Sequence, residues 1–384
     1  MIPYSRQEIT EEDIAAVVAA LRGDLLTTGP LVTEFEKALC AQTGAAHAVA
    51  CASATAALHI ACMAIGLKSG DLGVTSPITF LASANCIEYC GAHTDFIDID
   101  PVTRCLSASA LDQYCRTVRI PRVVIPVDLA GIVCDLEEIN KLAKRYGFAV
   151  IQDAAHSIGS TYSFNGKVYQ SGCGLHSEMT IFSFHPVKNI TTGEGGAILT
   201  NSDELANRLR KLRSHGMTKI PGELSKNDGP WYYEMHEIGY HYRITDIQCA
   251  LGVSQLMRLE SHKQQRRILA DRYSAAFANH PKIITPHVPA GQAPCLHLYP
   301  IEFCDGSSAR ASVYKALADR DIHAQVHYIP VHMQPYYRKK YGYANGHAPN
   351  AELFYSRALS LPLYTALKPA EQDQVIEIVL ETLR

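Results

Sequence analysis

Apolar and polar positions follow two periods along the chain. RVVIPVDLAG (Arg122–Gly131) is short, rich in β-branched residues and closed by a turn, which predicts a buried strand. DLEEINKLAKRYG then sets Leu136, Ile139, Leu142 and Ala143 at helical spacing and stops at Gly147. FAVIQDAAH predicts a second strand with Asp153 at its C-terminal end. Strand, helix and strand within about thirty residues predict a βαβ unit in a largely parallel sheet. GAILTNSDELANRLRKLRSHG repeats the theme, with Leu205, Leu209 and Leu212 on one helical face. CASATAALHIACMAIG begins with small and hydroxyl residues and runs into an almost wholly apolar helix. Near residue 250 the texture changes. IQCALGVSQLMRLESHKQQRRILADRYSAAFANH predicts one long helix, followed by a segment rich in His, Pro and Tyr and a terminal helix near AEQDQVIEIVLETL. The pattern predicts an α/β chain with a large domain over residues 1–250 and a smaller C-terminal domain over 251–384.

Composition narrows the class. With 384 residues, 47% hydrophobic and 19% charged, the chain is expected to be soluble and able to bury a sizeable core. A formal net charge of −3 and the lack of like-charge blocks argue against a nucleic-acid partner. MIPYSRQEITEED lacks the basic start and apolar core of a signal peptide, so a cytoplasmic location is expected. No membrane partner is expected either, because the longest apolar run, AALHIACMAIGL, is short and interrupted by His59. The twelve cysteines form no C-x-x-C pair; Cys86 and Cys90 are four apart, and buried reduced thiols are expected.

Candidate chemistry centres on FSFHPVKNITTGEGG (Phe182–Gly196). Lys188 reads either as a surface charge or as an interior amine nucleophile. Asp153 reads either as a helix cap or as a half-buried carboxylate that needs a cation. Ser53 and Thr55 open the apolar helix, where free N–H groups and the positive dipole end make a phosphate seat or simply a capped terminus. Ser183, five residues before Lys188, offers a further donor. Amine, strand-end carboxylate and phosphate seat together suit pyridoxal 5′-phosphate: an aldehyde for the lysine, a pyridine nitrogen for the carboxylate, a phosphate for the helix. His327 and His332 in VHYIPVHM have no third ligand nearby in sequence, so no metal site is expected. No G-x-G-x-x-G follows a strand, since GCGLHS at Gly172 lacks the last glycine, and no P-loop is present.

The ordered set LTTGPLVTEFE, SATAALHIA, SPITFLASAN, DAAHSIGS, FSFHPVKNITTGEGGAILTN, RLRSHGM, GYHYRITDIQCALGVSQL and QVHYIPVH resembles the DegT/DnrJ/EryC1/StrS family of sugar aminotransferases over nearly the whole chain. The resemblance implies the fold-type I aminotransferase architecture, with a mostly parallel sheet in the large domain and a small C-terminal α+β domain. It implies that Lys188 holds the cofactor aldehyde and carries the proton, and that Asp153 pairs with the ring nitrogen. His156 would contact the ring hydroxyl region, Phe80 the ring face, and Ala54, Thr55 and Ser183 the phosphate. The GYHYR segment would reach a neighbouring subunit's site in a homodimer. There His241 stands where the family usually has asparagine, still a donor for phosphate, and Arg243 would share the contact. For the sugar nucleotide the resemblance points to Tyr4, the turn of Leu25, Leu26, Thr27 and Thr28, Ser53, Gln325, Val326, His327 and Tyr328. His185 reads either as a substrate contact or as a packed strand residue.

Within the family, SPITFLASAN, FSFHPVK, GPWYYEM and AQVHYIPVHMQPYY most resemble the branch that acts in pseudaminic acid biosynthesis. The implied reaction moves an amino group from L-glutamate to C4 of UDP-4-keto-6-deoxy-L-AltNAc. Alternatives are a different nucleotide-linked 4-keto sugar, of the bacillosamine or perosamine type, and a cofactor-bound regulatory homologue without turnover. The family's 3-dehydratases carry histidine at the lysine position, which Lys188 argues against.

Overall fold

The computed structural model describes residues 1–384. Helices α1 (Glu11–Leu21) and α2 (Pro30–Thr43) precede strand β1 (His47–Cys51). The chain then alternates through α3 (Ala54–Ala64), β2 (Leu72–Thr75), α4 (Ala82–Tyr89), β3 (His93–Phe96), α5 (Ala108–Thr117), β4 (Val123–Ile125), α6 (Leu136–Tyr146) and β5 (Ala149–Asp153). A hairpin of β6 (Thr161–Phe164) and β7 (Lys167–Gln170) comes before β8 (Met179–Ser183), β9 (Gly196–Thr200) and α7 (Asp203–Arg213). Short strands β10 (Met217–Thr218) and β11 (Glu234–Met235) lead to α8 (Asp246–Met257) and α9 (Leu259–Phe277). The remainder comprises β12 (Ile283–Ile284), β13 (Gln292–Ala293), β14 (Tyr299–Phe303), α10 (Ser307–Ala318), α11 (Pro335–Tyr341), α12 (Pro349–Arg357), β15 (Ala358–Leu361) and α13 (Pro369–Thr382).

Seven strands form the central sheet in the order β1-β9-β8-β5-β4-β2-β3. All neighbours are parallel except β9, which runs against both β1 and β8. The C-terminal ends of β1, β8, β5, β4, β2 and β3 therefore share one edge, where ligands of such sheets collect. A second sheet, β12-β14-β15, is antiparallel and underlies the C-terminal part of the chain.

Alternation decides which face each strand residue meets. Val49, Ile151, Met179, Ile181 and Ile198 pack against α3, α4 and α7. Ala48, Ala50, Phe182, Ala197 and Leu199 turn to the other side, against α2 and α8. Both faces being covered, the strands read as continuous apolar runs rather than polar-apolar stripes. Phe35 of α2 is fully buried and edge-on to Phe184, so truncating it to alanine is expected to cost about 3–5 kcal/mol.

Two expectations are corrected. The stretch read as one long helix is two, broken at Arg258, whose guanidinium pairs with the buried Asp13 of α1. Residue 250 consequently lies inside α8, which packs on α1 and α2, and the chain turns toward the second sheet only beyond the break. The expected strand Arg122–Gly131 is regular only over Val123–Ile125; past Pro126, which has no N–H, it keeps a single bridge from Val127 to Asp153 before Leu129–Gly131 winds into a short 3-10 turn. All twelve cysteines are free; eight are buried, and Cys304 is exposed. No helix is long and apolar enough to cross a membrane.

Candidate active site

The strand register that builds the core also aims the site. Asp153 lies two residues after Ile151, and Ser183 two after Ile181, so both side chains emerge on the α3 and α4 face at the shared sheet edge. Ser53, two residues beyond the end of β1, caps α3 by accepting from Ala56 N at 3.1 Å. Inside that cap the first-turn amides of Ala54 and Thr55 have no intrahelical acceptor and stand at the positive end of the helix. Gly196 makes this seat accessible: a Cβ there would lie 2.4 Å from Ala54 N.

These groups line one cavity of about 670 Å³. Its lining includes Asp153, Ser183 and Lys188, the start of α3 at Ser53, Ala54 and Thr55, and Phe80 and His156. Tyr4, His185 and the Gln325–Tyr328 segment line it as well. Fourteen of the side chains singled out in the sequence thus meet in one place. The Leu25–Thr28 turn, His241 and Arg243 do not. The turn meets the start of α8, where Thr27 bridges Thr245 and Asp246 N donates to Leu26 O at 3.0 Å, while His241 bridges Ser214 and Arg243 bridges Cys51 at the end of β1.

Lys188 sits on a loop clamped at both ends. Thr191 and Thr192 bond the Phe184 carbonyl, and the buried Asn189 amide donates to the carbonyls of His156, Ile158 and Cys295 at 3.4, 3.3 and 3.1 Å. The lysine is only half-buried by area, since water can enter the cavity, but its amine lies at the bottom among protein atoms. Burial pushes that amine down to about 8, with the Asp153 carboxylate pulling the other way. Asp153 is itself raised by burial, against hydrogen bonds from Ser83 Oγ at 2.6 Å and Ala155 N at 3.1 Å and the attraction of Lys188. A buried carboxylate held only by a hydroxyl, an amide and a distant ammonium has room for one more cationic donor on its cavity side.

His156 is neutral, pushed well below its ordinary range by burial and by Lys188 and His327. Ala130 N donates to its Nδ1 at 3.3 Å, so the ring proton is on Nε2 and faces the Tyr328 hydroxyl at 3.2 Å. Ala130 adopts φ 58°, a left-handed conformation that costs an L-residue about 1–2 kcal/mol and here aims its amide at the histidine. His327 is likewise held neutral, pushed down to about 3 by burial and Lys188, and its Nδ1 meets Ser360 Oγ at 2.9 Å. His332 turns away to Glu352, so the two histidines of VHYIPVHM share no ligand.

Three cavity groups escaped sequence reasoning, Thr79, Gln334 and His297, as did the buried Ser83 behind them, which bonds Asp153 and meets Thr79 Oγ1 at 2.7 Å. Ser83 stands inside SPITFLASAN, a motif that marks the place without naming the residue.

The model of the DegT/DnrJ/EryC1/StrS aminotransferase family matches residues 7–380. The chain belongs to this family. It is a sugar aminotransferase, and its cofactor is pyridoxal 5′-phosphate. The spore coat polysaccharide biosynthesis protein SpsC of Bacillus subtilis is 39% identical, covering 100% of this chain and 97% of its own length. A UDP-4-amino-4,6-dideoxy-N-acetyl-beta-L-altrosamine transaminase of Campylobacter jejuni is 36% identical over 95% of this chain and 93% of its own. Among solved structures, PseC of Helicobacter pylori, an aminotransferase of pseudaminic acid biosynthesis, has a TM-score of 0.90 at 32% identity, covering 99% of this chain and 98% of PseC. Spr1654 of Streptococcus pneumoniae, a putative sugar aminotransferase in its pyridoxamine phosphate form, has a TM-score of 0.91 at 31% identity, with 100% of this chain and 99% of its own covered. The fold is that of the family's aminotransferases. The residues present fit the cofactor: an open helix N-terminus for its phosphate, a buried carboxylate short of a cation for its ring nitrogen, and an uncovered Phe80 ring, 61% exposed, on the cavity wall.

Proposed function

We propose that this aminotransferase moves the amino group of L-glutamate to C4 of UDP-4-keto-6-deoxy-L-AltNAc. The observation that carries the catalytic part is the convergence of Lys188, Asp153 and the N-terminus of α3 on one cavity. The sugar is supported by the motif set and by the Campylobacter jejuni relative. Pyridoxal phosphate supplies an aldehyde that amines capture and a ring that draws electrons from the neighbouring carbon. Lys188 holds that aldehyde between turnovers. Displaced by the donor's amine, its Nζ would move the donor carbon's proton to the carbon of the cofactor that receives the amino group, and in the second half would carry a proton from that carbon to C4 of the sugar. An amine near 8 suits both directions, since it is neither permanently charged nor too weak a base.

Asp153 would keep a proton on the ring nitrogen, and with it the ring's pull on electrons. His156, neutral and fixed by Ala130, packs beside the ring without adding charge. Ser183 and the amides of Ala54 and Thr55 take the phosphate; Tyr4, Ser53, His185, Gln325, Val326, His327 and Tyr328 take the sugar nucleotide. Lys188 is the only lysine or arginine lining the cavity, although the phosphate and the UDP diphosphate each carry negative charge. That deficit supports a homodimer in which His241, Arg243 and the Leu25–Thr28 turn serve the other copy's site. Trp231, Tyr233, Met235 and Ile238, all more than half exposed beside this segment, leave an apolar face for such a copy. Twelve unpaired thiols support a cytoplasmic location.

A second reading, another nucleotide-linked 4-keto sugar, is favoured by the 39% identity to the Bacillus subtilis polysaccharide protein. A panel of UDP-, GDP- and dTDP-linked 4-keto sugars with L-glutamate separates the two. The UDP-AltNAc ketone should give the highest kcat/KM, and preference for another sugar would replace the first reading with the second.

A further inference from the structure

His297 belongs to no strand or helix and to no motif, yet it is buried on the cavity floor, 2% exposed, between β13 and β14. Its place is unusually well determined. Its backbone N–H donates to Ala130 O at 2.9 Å, so the strained Ala130 holds His156 with its amide and His297 with its carbonyl. From the other side Arg266 of α9 donates through Nη1 to the carbonyls of Leu296, His297 and Leu363 at 3.3, 3.4 and 3.0 Å. That guanidinium is buried without a carboxylate partner, an expensive arrangement that here ties the 296–297 backbone to α9 and to Leu363. The His297 ring lies 4.4 Å from the His156 ring. Its Nε2 stands 3.5 Å from Lys188 Nζ, and its Nδ1 is buried with no hydrogen-bond partner at all.

We propose that His297 is a positioning residue for Lys188, a neutral imidazole whose Nε2 accepts an N–H of the freed amine and holds it toward the reacting carbon between the two halves of the transfer. The proposal rests on the reading of Lys188 as the working amine. The groups facing this pair are Asp153 on β5, His156 beyond it, Tyr328 and His327 from the C-terminal segment, and Arg266 from α9. Burial above all, and then the cationic Lys188 and Arg266, keep the imidazole unprotonated, so it is available as an acceptor, never as a second ammonium. The separation is at the outer limit of a hydrogen bond, within reach of a small rotation of the lysine chain. An acceptor beside an amine favours its protonated form. Lys188 is therefore held beside the carbons between which it passes the proton in each half, while His297 neither gives nor takes one.

The test compares His297→Gln, which restores a carbonyl acceptor near the position of Nε2, with His297→Asn, whose shorter amide reaches only the position of Nδ1. Borohydride reduction of each cofactor-loaded variant, followed by peptide mapping, first establishes that the cofactor is attached to Lys188. In the aminated form of the holoenzyme, where the lysine is free, acetylation by acetic anhydride is then followed by mass spectrometry against pH. In the asparagine variant the midpoint for Lys188 should fall by about one pH unit, as expected for one lost hydrogen bond to a charged group. The glutamine variant should stay near the wild-type midpoint, with kcat for the glutamate half-reaction following the same order and KM little changed. Equal midpoints in all three proteins, with the cofactor on Lys188, would overturn the role of His297 and leave the lysine's role standing. Attachment elsewhere would remove the lysine's role, and this proposal with it.

Discussion

Ser83 Oγ donates a 2.6 Å hydrogen bond to Asp153 Oδ2, linking the first turn of α4 to the end of β5 at the carboxylate proposed to meet the cofactor ring nitrogen. The bond works against burial, which drives the carboxyl toward its neutral form. Without it the carboxylate is lost at a higher pH. Ser83→Ala should therefore move the acidic limb of the pH–rate profile upward and lower kcat/KM about tenfold at neutral pH. Steady-state kinetics across the acid range read both. An unmoved limb would mean that Asp153 does not depend on the serine.

The approach of β9 to α3 leaves no room for a side chain at Gly196, where a Cβ would stand 2.4 Å from Ala54 N. Gly196→Val should push the helix N-terminus out of place and weaken cofactor retention at least tenfold, by roughly 1.4 kcal/mol or more. Dialysis against decreasing pyridoxal phosphate measures the loss, and far-ultraviolet circular dichroism confirms that the fold survives. Retention at wild-type strength would place the phosphate elsewhere.

Behind the site, Asp128 is fully buried and meets only neutral donors: Ser157 at 2.6 Å, Gln152 at 2.7 Å and Cys134 N at 3.0 Å. Burial pushes its carboxyl up to about 6, above the ordinary 3.8. Between these values the folded chain binds more protons than the unfolded one, so this group's contribution to stability falls as pH rises through that window. Asp128→Asn removes the titration. The melting-temperature difference between variant and wild type should shift in the variant's favour from about pH 4 to pH 6. A constant difference would show that the carboxyl is ionised throughout.

The proposed sharing of sites between two copies has a direct genetic test. Lys188→Ala and Arg243→Ala should each be inactive as homodimers, yet a mixed dimer should regain activity, because one of its two sites keeps both wild-type groups. Co-expression with two affinity tags isolates the hybrid. An inactive purified hybrid would put Arg243 to work only within its own chain.

Much of the architecture was readable because both periods were clean. Val123–Ile125 and Ala149–Asp153 are apolar runs separated by a helix with Leu136, Ile139 and Leu142 on one face, and this repeats at Ala197–Leu212. Asp153 and Ser183 end such runs, so strand alternation alone puts them on one face and at one edge. Other features depend on contacts between distant segments, which no local pattern records. The break at Arg258 reflects a pairing with Asp13, far back in the chain. His297 owes its position to Ala130 and Arg266, and its segment has neither a helical nor a strand period to draw attention to it.

The most direct measurement is to reduce the cofactor-loaded enzyme with borohydride, digest it and locate the pyridoxyl group by mass spectrometry. The expected result is a single modified residue, Lys188, with no label and no visible cofactor absorption in Lys188→Ala. A label on any other lysine, or glutamate-dependent transamination retained by Lys188→Ala, would contradict the assignment of that amine.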